Sequence, residues 1–185
     1  MARTKLLLAV ILLLAAPVLA YSQDTAPKWS YIEAGYVDFD PDNGLSDDGW
    51  FAGGSLNILK NFHLLAEYND IGDYTLWNFG FGWHGLFGDP GDLFAQVVWN
   101  DVEVDSSNFS DDGYGASAGV RWKLIDWFDV KGQLNWIDLD QSGSDTTTEV
   151  GALFSFLKDQ FAFGAEYETG DADTLRGFFR INFGK

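Results

Sequence analysis

Phe128-Asp129-Val130-Lys131-Gly132-Gln133-Leu134-Asn135-Trp136 changes character at every residue. Phe128, Val130, Gly132, Leu134 and Trp136 fall on one face of an extended chain, and Asp129, Lys131, Gln133 and Asn135 fall on the other. A period of two marks a β-strand with two unlike faces. The pattern recurs upstream, where Thr75, Trp77, Phe79, Phe81 and Trp83 alternate with Leu76, Asn78, Gly80, Gly82 and His84. Tyr114, Ala116, Ala118, Val120 and Trp122 likewise oppose Gly115, Ser117, Gly119 and Arg121. In the last segment Leu175, Gly177, Phe179, Ile181 and Phe183 oppose Arg176, Phe178, Arg180 and Asn182. Alternation alone leaves two architectures open. A soluble sandwich turns its large apolar residues inward, whereas a membrane barrel turns them outward to lipid around a polar lumen.

About ten such segments can be read along the chain, over residues 29–39, 49–59, 62–71, 74–84, 93–104, 113–123, 127–139, 147–157, 161–169 and 174–183. Each is near the ten residues or so that a tilted strand needs to cross a bilayer, and an even count returns both termini to one side. The predicted fold class is therefore all-β, a transmembrane antiparallel up-and-down barrel of about ten strands, with eight as the alternative. The links alternate in character. Those at 40–48, 70–73, 105–112, 140–146 and 170–173 are acidic, whereas those at 60, 85–92, 125–126 and 158–160 are mostly brief. Short periplasmic turns and longer external loops are the habit of outer-membrane barrels, so the acidic end is predicted to be external.

The chain opens as an export signal does. Arg3 and Lys5 precede the apolar run 6–16, and the small or compact residues Val18 and Ala20 follow, which predicts cleavage after Ala20 and a barrel domain over 21–185. The run is too short to span a bilayer as a helix, which takes about 20 apolar residues. No cysteine is present, so neither disulfides nor a thiol-linked lipid anchor hold the chain. The formal net charge of −17 becomes more negative once Arg3 and Lys5 are removed. Phosphate recognition needs clustered Lys and Arg, so nucleic acid is excluded as a partner. Strong acidity usually goes with few aromatics and disorder, but aromatics are 17% of this chain, and 46% of it is hydrophobic. Those side chains need an apolar surrounding.

By parity Glu33, Glu67, Glu149, Glu166 and Glu168 point into the lumen with Arg121, Lys131, Arg176 and Arg180. Such groups either close into a network of ion pairs, because unpaired buried charge is costly, or line a narrow wet path. Aromatics near strand ends suit the headgroup depth: Trp83, Trp122, Trp127 and Phe161 towards the periplasm, Tyr68, Trp99, Tyr114 and Tyr167 towards the outside. His63 and His84 both face inward on neighbouring strands; with no convincing third ligand, no metal is expected there. Asp38-Phe39-Asp40-Pro41-Asp42-Asn43-Gly44 begins like a calcium loop, but Asn43 and Gly49 stand where an EF-hand requires Gly and Glu. No Gly-x-Ser-x-Gly elbow, zinc helix or phosphate loop is found, so no catalytic residue and no cofactor is expected.

The segment Tyr31-Ile32-Glu33-Ala34-Gly35-Tyr36, the opening Asn61-Phe62-His63-Leu64 of the third strand and the closing Phe179 to Phe183 strand resemble the OmpA-like small outer-membrane β-barrel family of porin-like proteins. The resemblance spans the chain from about Trp29 onward. It implies residence in the bacterial outer membrane, with lipid and lipopolysaccharide as surroundings. It also implies that Phe179, Ile181 and Phe183 form the assembly signal read by the barrel-assembly machinery. The expected role is structural with at most passive passage of small solutes. Two alternatives remain open: a cell-surface recognition protein that uses the acidic external connections toward a partner not yet known, and a soluble periplasmic lipocalin-like binder.

Overall fold

A computed structural model describes residues 27–41, 46–86, 90–105, 107 and 109–183. The signal-peptide segment and the middle of the calcium-like loop lie outside the described residues. Ten strands follow in order: β1 (Tyr31–Pro41), β2 (Asp47–Leu59), β3 (Phe62–Ile71), β4 (Tyr74–Leu86), β5 (Gly91–Val104), β6 (Phe109–Ile125), β7 (Phe128–Leu139), β8 (Gly143–Phe156), β9 (Phe161–Thr169) and β10 (Ala172–Asn182). Each pairs antiparallel with its sequence neighbours, and β1 closes on β10 from Tyr31↔Asn182 to Pro41↔Ala172. The result is a ten-stranded closed barrel, an architecture without free sheet edges.

The direction of the side chains decides between the two architectures left open by alternation. Val97, Leu134 and Phe163, in mid-strand, are 58–59% exposed on the outer surface, while His63 and Asn69 are fully buried inside and Arg180 is 5% exposed. A water-soluble protein buries its large apolar side chains. Here they form the outer wall, which removes the inward-facing, lipocalin-like reading. Rings cover this wall in patches. Phe156, Phe161, Phe163 and Phe179 lie against one another with centroids 5.2–6.5 Å apart, and Tyr68, Trp77, Phe79 and Trp99 form a second row.

Inside, a small apolar cluster of Val37, Phe51, Leu153, Ala162 and Phe178, with Ile71 against it, braces β1, β2, β8, β9 and β10. Glycine makes room elsewhere in the lumen. A Cβ at Gly82 would run into the imidazole of His63, so this ring lies flat against β4 only because position 82 has no side chain.

Most strands differ from expectation by a residue or two at one end or the other, and three of the departures bear on the site and the turns. β1 starts at Tyr31, not Trp29, because the backbone turns into the lumen before it. β6 starts at Phe109, so half of the 105–112 link is strand rather than loop. β8 starts at Gly143, whose φ of 84° closes a tight turn with β7. Asp111 explains the last two shifts. Its carboxylate accepts the Gln141 and Ser142 backbone N–H groups at 3.0 and 2.8 Å and the Ser142 hydroxyl at 2.6 Å, binding the β7–β8 turn to the end of β6. Links 42–46, 72–73, 105–108, 140–142 and 170–171 are thus all short, and the expected long external loops are not what the strands leave.

Candidate functional site

The barrel's interior is the site. All nine ionisable residues expected in the lumen, Glu33, Glu67, Arg121, Lys131, Glu149, Glu166, Glu168, Arg176 and Arg180, line one cavity of about 300 Å³. Parity delivers them there: β1, β3, β6, β7, β8, β9 and β10 each place alternate residues inward, and closure brings those strands face to face.

The charges form a ladder on one wall. Arg180 sits on Glu33, with Nε 2.6 Å and Nη2 2.5 Å from Oε2, and its guanidinium lies over the rings of Tyr31 at 3.8 Å and Phe178 at 5.1 Å. Arg176 donates to Glu67 at 3.1 Å and to Asn69 at 3.3 Å and covers Phe51. Lys131 bridges Glu149 and Glu166, 2.5 Å from each. Glu168 makes no ion pair among the described residues; it accepts from Asn135 at 2.9 Å and from the Thr147 hydroxyl. Planar guanidinium groups suit this placement, since one face stacks on a ring while the edge donates to carboxylates.

The facing wall is made of amides and small residues. Gln96 takes the Ser117 hydroxyl at 3.2 Å and meets His63 Nε2 at 3.0 Å, and Asn78 and Asn100 line the same cavity. Asn78 Oδ1, Asn100 Nδ2 and Asp129 Oδ1 are buried without a hydrogen-bond partner among the described residues. Glu149 Oε1, which is ion-paired with Lys131, and Arg176 Nε also lack a hydrogen-bond partner among the described residues, so five such atoms belong to the lining of one cavity, although unsatisfied buried polar atoms are uncommon in folded proteins.

One mouth is plugged. Residues 27–30 fold back into the end of the barrel where β1 begins and β10 finishes, and Phe183 N–H donates to Ser30 O there at 2.9 Å. Trp29 is 6% exposed. Both histidines stack on its indole with centroids 4.8 and 4.7 Å away and 5.6 Å from each other, Phe94 meets it edge-on, and Arg121 lies 5.9 Å over it. Its Nε1–H donates to Asp92 at 2.7 Å, while Ser55 and Arg121 donate to the carbonyls of Trp29 and Lys28, each at 2.8 Å. The indole borders the lumen cavity on one side and the recess at this mouth on the other. It is a partition.

Sequence reasoning missed Trp29 by reading it as the first strand residue. Its inward parity with Tyr31 and Glu33 could be read, but nothing set it apart, because Tyr31, Phe94 and Phe178 also put rings on the lumen side. The pairing of Lys123 with Asp159 was equally hidden, because no spacing rule links residues of different hairpins, whereas Arg121 and Asp129, 3.0 Å apart, are diagonal neighbours on the β6–β7 hairpin. The two histidines do lie side by side as parity requires. Their rings are occupied by stacking on Trp29, by Gln96 and by Asn57, and no group of three or more metal-ligating side chains is found among the described residues. Of the rim aromatics, Trp83, Tyr114 and Trp127 stand 41%, 67% and 53% exposed on the outer wall; Trp99, Trp122 and Tyr167 are half-buried. Phe179 and Phe183 are also exposed outward.

This fold is that of porin-like outer-membrane β-barrels. The chain is similar to the KdgM porin, solved in complex with disordered oligogalacturonate, at a TM-score of 0.52 and 10% identity over 83% of this chain and 99% of that one. It is similar too to an outer-membrane channel from Pseudomonas putida F1, at a TM-score of 0.53 and 9% identity over 89% of this chain and 100% of that one. No protein-family model and no curated protein matches the sequence. At such identities the likeness speaks for the fold alone.

Proposed function

We propose that this chain is an outer-membrane protein whose lumen lets small solutes pass passively, with Trp29 as its narrowest point. The observation that carries this reading is a polar, partly unsatisfied cavity inside a wall whose outer surface is apolar. An apolar exterior needs lipid, and in lipid only helices and closed barrels satisfy their backbone groups. A purely structural barrel gains most from a dry packed core or fully paired charges, and this lumen has neither. In this reading both termini and the Trp29 plug face the periplasm, the acidic connections face outward, and the barrel lies among outer-membrane lipid and lipopolysaccharide. The outward row Phe179, Ile181 and Phe183 on the last strand is then the element presented to the barrel-assembly machinery. The short outer connections give a recognition role little surface to work with.

Planar-bilayer recording of the purified, folded protein tests the proposal. Small unitary steps are expected from the native chain, and larger ones from Trp29→Ala, which joins the cavity to the mouth below it. Silence from both proteins, in a preparation shown to be folded, would contradict it.

A further inference from the structure

We propose that the lumen passes cations in preference to anions; the inference rests on the permeability just described and names the solute class for that same cavity. Three observations converge on it.

The first is the pairing within the ladder. Lys131, Arg176 and Arg180 face five carboxylates, and each of the three is ion-paired, Arg180 with Glu33, Arg176 with Glu67 and Lys131 with both Glu149 and Glu166, although Arg176 Nε has no hydrogen-bond partner among the described residues. Glu168 is held by neutral donors. An entering anion has to draw a cation away from its carboxylate and leave that carboxylate uncompensated in a narrow, poorly solvated space. An entering cation meets carboxylate oxygens directly.

The second is Asp129, which lines the cavity and is 4% exposed. Its Oδ2 accepts from Arg121, but Oδ1 has no hydrogen-bond partner. Oδ1 is closed off from the cavity, so this carboxylate acts on a solute through its negative field rather than by direct contact.

The third is the division of charge along the barrel axis. Asp40, Asp47, Asp70, Asp105, Asp140 and Asp171 stand at or beside the five connections of the plug-free end, and no Lys or Arg occurs in any of those connections. Lys28, Lys60, Lys123 and Lys158 all lie at the plugged end. A mouth lined by one sign of charge raises the local concentration of the opposite ion and depletes its own. Cations are thus gathered at the open end and met by acceptors inside.

Reversal potentials across planar bilayers under a KCl gradient give the test, recorded on the native chain and on Trp29→Ala. A K⁺/Cl⁻ permeability ratio of about threefold or more is expected, falling toward one in Glu168→Gln. Asp145→Asn, at the outer end of the same cavity, gives a second and milder reduction should Glu168→Gln fail to fold. Conductance steps with a ratio at or below one would overturn the inference and leave the permeability reading standing. Absence of steps from both the native chain and Trp29→Ala would overturn the permeability reading, and the inference with it.

Discussion

Trp29 and Arg180 place large, expensive groups inside a lumen, and each is held there by several contacts at once. Trp29 combines stacking, an edge contact, a cation over its face and a hydrogen bond from Nε1. Truncation therefore both opens a path and removes packing worth about 3–5 kcal/mol, of which the barrel retains its ladder hydrogen bonds. Trp29→Ala is expected to lower the unfolding midpoint in urea while raising conductance; a rise in conductance with no loss of stability would mean the indole is not packed as described. Arg180 has a sharper signature. Arg180→Met leaves Glu33 buried without its partner, a loss of about 3–5 kcal/mol. Adding Glu33→Gln to Arg180→Met recovers a large part of that loss, because the uncompensated charge is gone. Equal destabilisation by the single and double variants would show that the pair is not coupled.

At the scale of the strand, outward and inward faces carry opposite demands, and this is where the sequence was most legible. Phe79, in the middle of β4, is 46% exposed on the outer wall. Phe79→Arg puts a cation against hydrocarbon and should cost about 2–4 kcal/mol in lipid, several times more than the same change at a strand end. A cost independent of depth would argue against the bilayer placement. Alternation in Phe128 to Trp136 sufficed to assign both faces of β7, since a one-residue slip would exchange every side chain between lipid and lumen. Turns were less legible, because their geometry depends on partners distant in sequence. The β7–β8 turn is fixed by Asp111 from another hairpin, and the β8–β9 turn carries Leu157, Lys158 and Asp159 all at positive φ, 49°, 58° and 62°. Nothing in those residue types announces a left-handed run. It is tied down instead by Lys123 on the Asp159 carboxylate and by Asn182 donating to the Asp159 carbonyl at 2.7 Å. Lys158 is exposed, so Lys158→Gly relieves backbone strain without removing packing and should stabilise the barrel by about 1 kcal/mol, read as a higher urea midpoint. A lower midpoint would mean the turn relaxes in the folded protein.

For the whole molecule, three properties belong together: an apolar outer wall, a charged and polar interior, and a plug at one end with acidic residues at the other. The first two follow from a single parity repeated through ten strands, which is why the fold could be read before any coordinates. The plug could not, because Trp29 continues the alternation of β1 and reads as one more strand residue, although the strand begins only at Tyr31. Nor could the ladder's partners, because they depend on which strands closure brings face to face. All three properties presuppose that the barrel spans a lipid bilayer. The most direct measurement is fractionation of the expressing cell followed by gel electrophoresis of heated and unheated samples in SDS. Recovery in the outer-membrane fraction, with an unheated band that migrates differently from the heated one, is the predicted result. A soluble periplasmic protein with one mobility in both samples would contradict it.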